Sequence, residues 1–365
     1  MLKQTIFAFL AVILLGSLAQ EAKAQVGITS VPFLQIEPDS RGAGMGNTGV
    51  AIADNAAAIF WNPAGLGFQT GNQISLTHSE WLPKFNADLF YDYLVGKYYV
   101  EGIGMFGAHI TYLNLGEQIR TNEQGLEQGR FNSYEFAGGI SYGTKLNERF
   151  AIGGGFRFIF SSLAEGSVAQ QEINPGSSIG IDIAGMYKSK IFQALGRDAS
   201  INAGLNISNI GPGIQYTDNP QKDPLPTILR IGWAYTMNID KEGVNTITVA
   251  NDISKVLARE GSDGAFDGIF NSWSSFTRDT GIETVRLSLL EQFMVGTGIE
   301  YWYNNLFAVR TGYYFEDQHN GNRKFITLGA GLRYNIFGVD FSYIAALEEE
   351  HPLANTTRFS LLVNF

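Results

Sequence analysis

From residue 72 onward the chain repeats one pattern, segments of about ten residues in which apolar and polar positions alternate. Side chains leave a strand on opposite faces in turn, so each segment reads as a strand with one greasy and one polar side. In FRFIFSS, Phe156, Phe158 and Phe160 project one way and Arg157, Ile159 and Ser161 the other. In KFITLGAGLRYN, Ile326, Leu328, Ala330, Leu332 and Tyr334 oppose Thr327, Gly329, Gly331 and Arg333. The final segment sets Phe359, Leu361, Val363 and Phe365 against Arg358, Ser360 and Asn364. The segments fall at 72–80, 86–98, 102–115, 131–145, 148–163, 177–189, 199–208, 226–238, 244–253, 293–303, 306–316, 324–335, 338–347 and 356–365, which makes fourteen.

The connections add a second signal. They are short after the second, fourth, eighth, tenth and twelfth segments, as in KLNE, NIDKEG, Asn304-Asn305 and Phe337-Gly338. After the third, fifth, seventh, ninth, eleventh and thirteenth they are longer, among them GEQIRTNEQGLEQGR, QYTDNPQKDPLP and the stretch from Ser254 to Gln292. Short turns at one end and long loops at the other are the habit of an outer-membrane barrel. Two connections depart from the alternation, a short one near Trp81 and a longer one, IFQALGRDAS.

A soluble β-sandwich would also alternate, but its outward face would be charged. Here only 16% of residues are charged, against 43 glycines, 26 phenylalanines and 16 tyrosines. The face opposite the phenylalanines is instead rich in Gly, Ser, Thr and Asn, with scattered Arg157, Lys188, Arg230, Arg310, Arg333 and Arg358, a composition suited to a lumen. Lipid tolerates no unpaired backbone, and barrel closure removes the edges. The expectation is an all-β fold, a 14-stranded antiparallel transmembrane β-barrel over residues 72–365. Tyr98-Tyr99, Tyr301 to Tyr303 and Tyr313-Tyr314 are expected as interfacial girdles.

The N-terminus fits an envelope address. Lys3, an apolar run from Ile6 to Leu18 and Ala22-Lys23-Ala24 read as a signal peptide over residues 1–24, with the mature chain starting at Gln25. The run is too short for a membrane helix. No cysteine follows the cleavage site, which argues against a lipoprotein, and zero cysteines exclude disulfides and thiolate metal sites. A net charge of -10 excludes nucleic acid as a partner, since phosphate recognition needs a basic stripe.

Residues 25–71 do not read as barrel strands. Within GAGMGNTGVAIADNAAAIFWNPAGLGF, Gly44, Gly46 and Gly49 spell G-x-G-x-x-G, yet no strand leads in and no acidic residue follows at the ribose distance, so a dinucleotide site is not expected. A barrel of this width is open or plugged, and this segment is the available plug. Its glycines, Gly42, Gly44, Gly46 and Gly49, are expected to let the backbone turn left-handed and approach the wall. In Asn62-Pro63-Ala64-Gly65, Pro63 fixes φ, Asn62 bonds its downstream backbone and Gly65 is expected to supply a positive φ.

The run PFLQIEPDSRGAGMGNTGVAIADNAAAIFWNPAGL, from Pro32 to Leu66, resembles the N-terminal signature of the PorV/PorQ family, within the wider group of FadL-like outer-membrane barrels. That resemblance implies fourteen strands around an N-terminal hatch. It also implies a non-enzymatic part of the type IX secretion system, whose partners are a large outer-membrane translocon barrel, secreted cargo with a C-terminal sorting domain, and a surface attachment complex. The alternative that the wider group implies is uptake of fatty acids or other hydrophobic molecules.

Catalytic chemistry finds little support. Gly176-Ser177-Ser178-Ile179-Gly180 matches G-x-S-x-G, but Ser178 enters a strand instead of a strand-to-helix elbow. His78, His109, His319 and His351 are dispersed and have no ligand-spaced neighbour. No catalytic residue, metal or cofactor is expected. In the longest loop, GAFDGIFNSWSSF places Phe266, Ile269, Phe270, Trp273 and Phe276 near helical spacing. That apolar face either packs over the barrel mouth, rests in outer-membrane lipid, or docks a partner.

Overall fold

The computed structural model describes residues 29–85, 88–121, 124–168, 171–218, 222–259, 264–279, 284–347 and 351–365; the expected signal peptide lies outside them. Fourteen long strands run in chain order: β1 (Gln73–Glu80), β2 (Phe90–Val100), β3 (Gly104–Thr121), β4 (Glu127–Lys145), β5 (Phe150–Ser162), β6 (Gly176–Lys188), β7 (Arg197–Ile210), β8 (Ile228–Asn238), β9 (Asn245–Val256), β10 (Phe293–Tyr303), β11 (Phe307–Glu316), β12 (Lys324–Tyr334), β13 (Phe337–Ala346) and β14 (Thr357–Asn364). Each pairs antiparallel with its neighbours in sequence. The sheet closes where β14 pairs with β1, from Gln73 opposite Asn364 to Ser79 opposite Arg358. Closure leaves these strands no open edge, which hydrocarbon requires.

The alternation decides which face meets lipid. Phe156, Phe158, Leu328, Leu332, Phe359 and Leu361 are exposed on the outside, while Arg157, Ile159, Ser161, Arg358 and Ser360 are buried inside. A belt of exposed apolar side chains around a closed barrel is stable only in lipid. Of the expected girdle residues, Tyr98, Tyr99, Tyr303 and Tyr313 are exposed, but Tyr314 points inward and stacks on Phe325 with ring centroids 5.0 Å apart. Tyr301, half-buried beside Tyr303, donates its hydroxyl to Asn245 Oδ1.

At one end the hairpins are tight. Asn304 and Asn305 both adopt φ of 50°, a left-handed pair that asparagine tolerates, in a three-residue connection between paired Tyr303 and Phe307. The longer connection after β6 contains a three-residue strand, Phe192–Ala194, paired with the start of β7. At the other end the long loops carry two small hairpins, Gly166–Val168 with Gln171–Ile173 and Phe276–Asp279 with Thr284–Leu287. That end also holds the short helix α3 (Asp267–Asn271).

The leading segment lies inside the barrel and is almost wholly buried. It has two one-turn helices, α1 (Ser40–Ala43) and α2 (Ala58–Trp61), and 3-10 turns at Pro32–Gln35 and Pro63–Phe68. Asp39 starts α1 by accepting the Gly42 amide, and Asn62 starts the second 3-10 turn by accepting that of Ala64. The inward face is not polar throughout, as the composition had led one to expect. Under β2 and β3, Tyr91, Tyr93, Val95 and Met105 form an apolar core with Phe33 and Leu34 of the leading segment.

Candidate functional site

An irregular segment inside a barrel has no ladder of its own, so its backbone donors need partners on the wall. The lumenal side chains provide them. Asp252 of β9 accepts the Gly49 and Val50 amides at 2.7 and 2.9 Å. Thr327 Oγ1 accepts the Gly46 amide at 2.8 Å, Ser360 Oγ that of Ser40 at 3.1 Å, and Gln73 Oε1 that of Ala56 at 2.6 Å. Asn206 donates to the Trp61 carbonyl at 3.0 Å.

A chain of alternating charge crosses the same contact. Arg41 of α1 grips Glu300 of β10 with two bonds, 2.7 and 2.9 Å, and also pairs with Asp54. Glu300 accepts from Arg310 at 2.6 Å, Arg310 donates to Asp340 at 2.8 Å, and Arg333 completes Asp340 at 2.5 Å. Each charge in this chain has an opposite neighbour, and Glu300 and Asp340 have two each, so removing one arginine weakens the chain by about 1.5–3 kcal/mol without leaving either carboxylate unpaired. Sequence reading found Arg310 and Arg333 only as lumenal cations. Their carboxylate partners, Glu300 and Asp340, stand on adjacent or next-but-one strands.

The glycines expected to shape this segment act mostly by closeness. A Cβ on Gly42 or Gly49 would come within 2.5 or 2.1 Å of the Trp61 ring, whose Nε1–H donates to Asp39 Oδ1 at 2.6 Å. Gly44 rests on the wall with Gly329 Cα 3.1 Å from where its Cβ would stand. Of these four only Gly46 is left-handed, at φ +67°. Gly65 does not have the positive φ expected of it: it continues the 3-10 turn that Pro63 opens, and no Cβ fits because the Ala53 carbonyl would be 2.2 Å away. Asn62 bonds the Val50 and Gly185 carbonyls besides capping the turn. Two cavities beside the segment, one under Asp39 and Gln73 and one under Phe33 and His109, each leave about 10 Å³, room for one water.

The long loop between β9 and β10 presents its aromatic residues differently. Arg259 donates to the Ser272 and Ser274 carbonyls at 2.9 and 2.8 Å and to Gln292 Oε1 at 3.1 Å. Gly268 sits against the Leu257 carbonyl, so one side of α3 is pinned to the loop base. The other side faces out: Phe266, Phe270 and Trp273 are 57%, 76% and 45% exposed, and Leu290 beyond them is 81% exposed. Ile269 is half-buried, and Phe276 lies under the Arg259 guanidinium at 4.1 Å. The five residues therefore do not form one face. Three of them stand exposed among the described residues, with the Trp273 indole donating to the Ile269 carbonyl, and Leu290, absent from the periodicity, is exposed as well.

The remaining candidates separate. Ser178 is an ordinary strand residue donating to the Pro212 carbonyl at 2.7 Å. His109 is buried beside Tyr93, His78 faces outward against Asp92, and His351 packs near Phe325. His319 sits in the loop after β11, beside Asp317.

Known proteins agree with this geometry. The toluene transporter TbuX of Ralstonia pickettii superposes with a TM-score of 0.52 at 14% identity, covering 90% of this chain and 99% of that one. The toluene transporter TodX of P. putida gives 0.51 at 12% identity, over 90% and 99%. Identities this low show a shared barrel fold alone. No curated protein matches the chain by sequence. The family model "Type IX secretion system protein PorV" matches residues 19–262. The protein is an outer-membrane β-barrel, and, matched over more than half its length, the chain belongs to the PorV family of the type IX secretion system.

Proposed function

We propose that this protein is a cargo-handling component of type IX secretion. In this reading residues 25–71 are a hatch released from a signal peptide over 1–24, and the barrel of 72–365 is a membrane-embedded carrier and not a conduit. Its partners are the large translocon barrel, secreted proteins bearing a C-terminal sorting domain, and the surface attachment complex. The long loops then face the cell exterior and the tight turns the periplasm, as in other outer-membrane barrels. The family is one of secretion barrels and not of enzymes.

The observation that carries the reading, within that family, is the pairing of a lumen occupied by the leading segment with an exposed aromatic patch. A segment is tied to the wall through Asp252, Thr327 and Glu300, and each of the two cavities beside it has room for one water. Phe270 sits on a clamped one-turn helix that Phe266 and Trp273 flank, and aromatic side chains held rigid and exposed are the usual anchors of interfaces. Replacing Phe270 and Trp273 with serine is expected to abolish co-purification of the large barrel while leaving this barrel folded. Recovery of the intact complex from the double variant refutes the assignment of the patch.

The second reading, uptake of hydrophobic small molecules, is favoured by the fold shared with two toluene transporters. It requires the hatch to move, because the cavities beside it hold one water each. Fatty acid or detergent found in the lumen by native mass spectrometry supports uptake. Co-purified cargo with a common C-terminal domain supports secretion.

A further inference from the structure

Three side chains remote in sequence meet at the loop end of the barrel. β10 and β11 are adjacent antiparallel strands joined by the Asn304-Asn305 turn, so their far ends lie side by side, with Met294 opposite Glu316. Glu291 stands just before β10, and Asp317 and His319 just after β11. His319 Nδ1 is thereby 3.4 Å from Glu291 Oε1 and 3.3 Å from Asp317 Oδ1, and the three ligand atoms lie within 4.8 Å of one another.

From this geometry we propose that Glu291, Asp317 and His319 bind one divalent transition-metal ion, zinc before others, which staples the base of the aromatic loop to the neighbouring hairpin. The proposal is independent of the secretion reading. The separations carry it. Ligands bonded at about 2.0–2.1 Å around a tetrahedral zinc stand roughly 3.3–3.4 Å apart, the edge of the tetrahedron. Two carboxylates converging on one imidazole nitrogen also repel each other, and a cation between them turns that repulsion into binding.

The side chains are held in place by other bonds. Glu291 Oε2 accepts the Ser288 amide at 2.6 Å, which leaves Oε1 for the ion. The Asp317 carbonyl gathers the Asn320, Gly321 and Asn322 amides, tying the loop into a compact turn around the site. Arg323, four residues beyond His319, is engaged by Glu316. The His319 side chain is 42% exposed, with its Nδ1 turned inward toward the two carboxylates. One imidazole with two carboxylates suits zinc, whereas calcium and magnesium demand six or more oxygens. A fourth position remains for water or for a ligand from a partner.

The test uses the full mature chain without a histidine tag, folded in detergent and stripped with chelator, titrated with zinc chloride by calorimetry. One equivalent is expected to bind, with His319→Ala and Glu291→Gln each weakening it at least tenfold. His78→Ala, which alters the other exposed histidine–carboxylate pair, is expected to leave it unchanged. Hydrogen exchange over residues 284–292 and 317–323 is expected to slow with zinc in the parent and not in His319→Ala. Absence of saturable binding, equal binding by parent and His319→Ala, or displacement of zinc by an equal concentration of calcium overturns the proposal.

Discussion

The contact between leading segment and wall predicts the effect of a single methyl group. Gly312 of β11 faces the lumen, and a Cβ there would stand 2.1 Å from the Gly46 nitrogen and 2.3 Å from the Met45 carbonyl carbon. Both atoms are backbone, so no side chain can swing aside. Ordinary contact begins at 3.4 Å, so Gly312→Ala must drive the segment off the wall by about 1.3 Å at this point. The Gly46 amide, 2.8 Å from Thr327 Oγ1, then leaves hydrogen-bonding range. Overpacking costs about 1–3 kcal/mol and a neutral hydrogen bond about 1, so docking of the segment loses about 2–4 kcal/mol. At 1.4 kcal/mol per decade that is roughly thirty- to seven-hundred-fold in the opening equilibrium. Hydrogen exchange with mass spectrometry, on barrel folded in detergent, reads it as faster exchange over residues 40–52, with the outer strands unchanged. Gly185→Ala serves as the control, because its Cβ meets nothing within 4 Å. Unaltered protection of 40–52 in a folded Gly312→Ala barrel would falsify the account of a segment locked by backbone contact.

The same contact makes further predictions. Asp252→Asn keeps the shape but removes the charge that receives two amides, and it is expected to cost about 1–3 kcal/mol, read as faster exchange at Gly49 and Val50. Trp61→Ala empties the space against Gly42 and Gly49 and takes the indole donor from Asp39, at about 3–5 kcal/mol; exchange over residues 39–50 unchanged from the parent contradicts it. Arg310→Ala takes one of two guanidinium partners from each of Glu300 and Asp340, which keep Arg41 and Arg333, and is expected to cost about 1.5–3 kcal/mol, seen as heat denaturation of the folded band at lower temperature in gel-shift assays. Phe270→Ser with Trp273→Ser is expected to leave that temperature unchanged, since both side chains are exposed in the barrel alone.

The barrel itself was legible in the chain because its determinant is local. Whether Phe156 or Arg157 meets lipid depends on parity along one strand, and all fourteen predicted segments coincide with strands. Tight turns such as Asn304-Asn305 are equally local, since left-handed φ is a property of single residues. The family signature between Pro32 and Leu66 was readable for a related reason. Its glycines leave no room for other residues, as Gly42 and Gly49 show against Trp61.

What tertiary structure decided was partnership between distant positions. The bond from Arg41 to Glu300 spans 259 residues and that from Ser40 to Ser360 spans 320, separations no periodicity encodes. Gly65 was misjudged because a glycine required for close approach and one required for positive φ look alike in sequence. His319 looked solitary because its carboxylate Glu291 arrives from the neighbouring strand's far end. Alternation assigns a side chain to lipid or lumen from one strand alone, whereas a lock, a clamp or a ligand set exists only once closure has fixed which strands stand side by side.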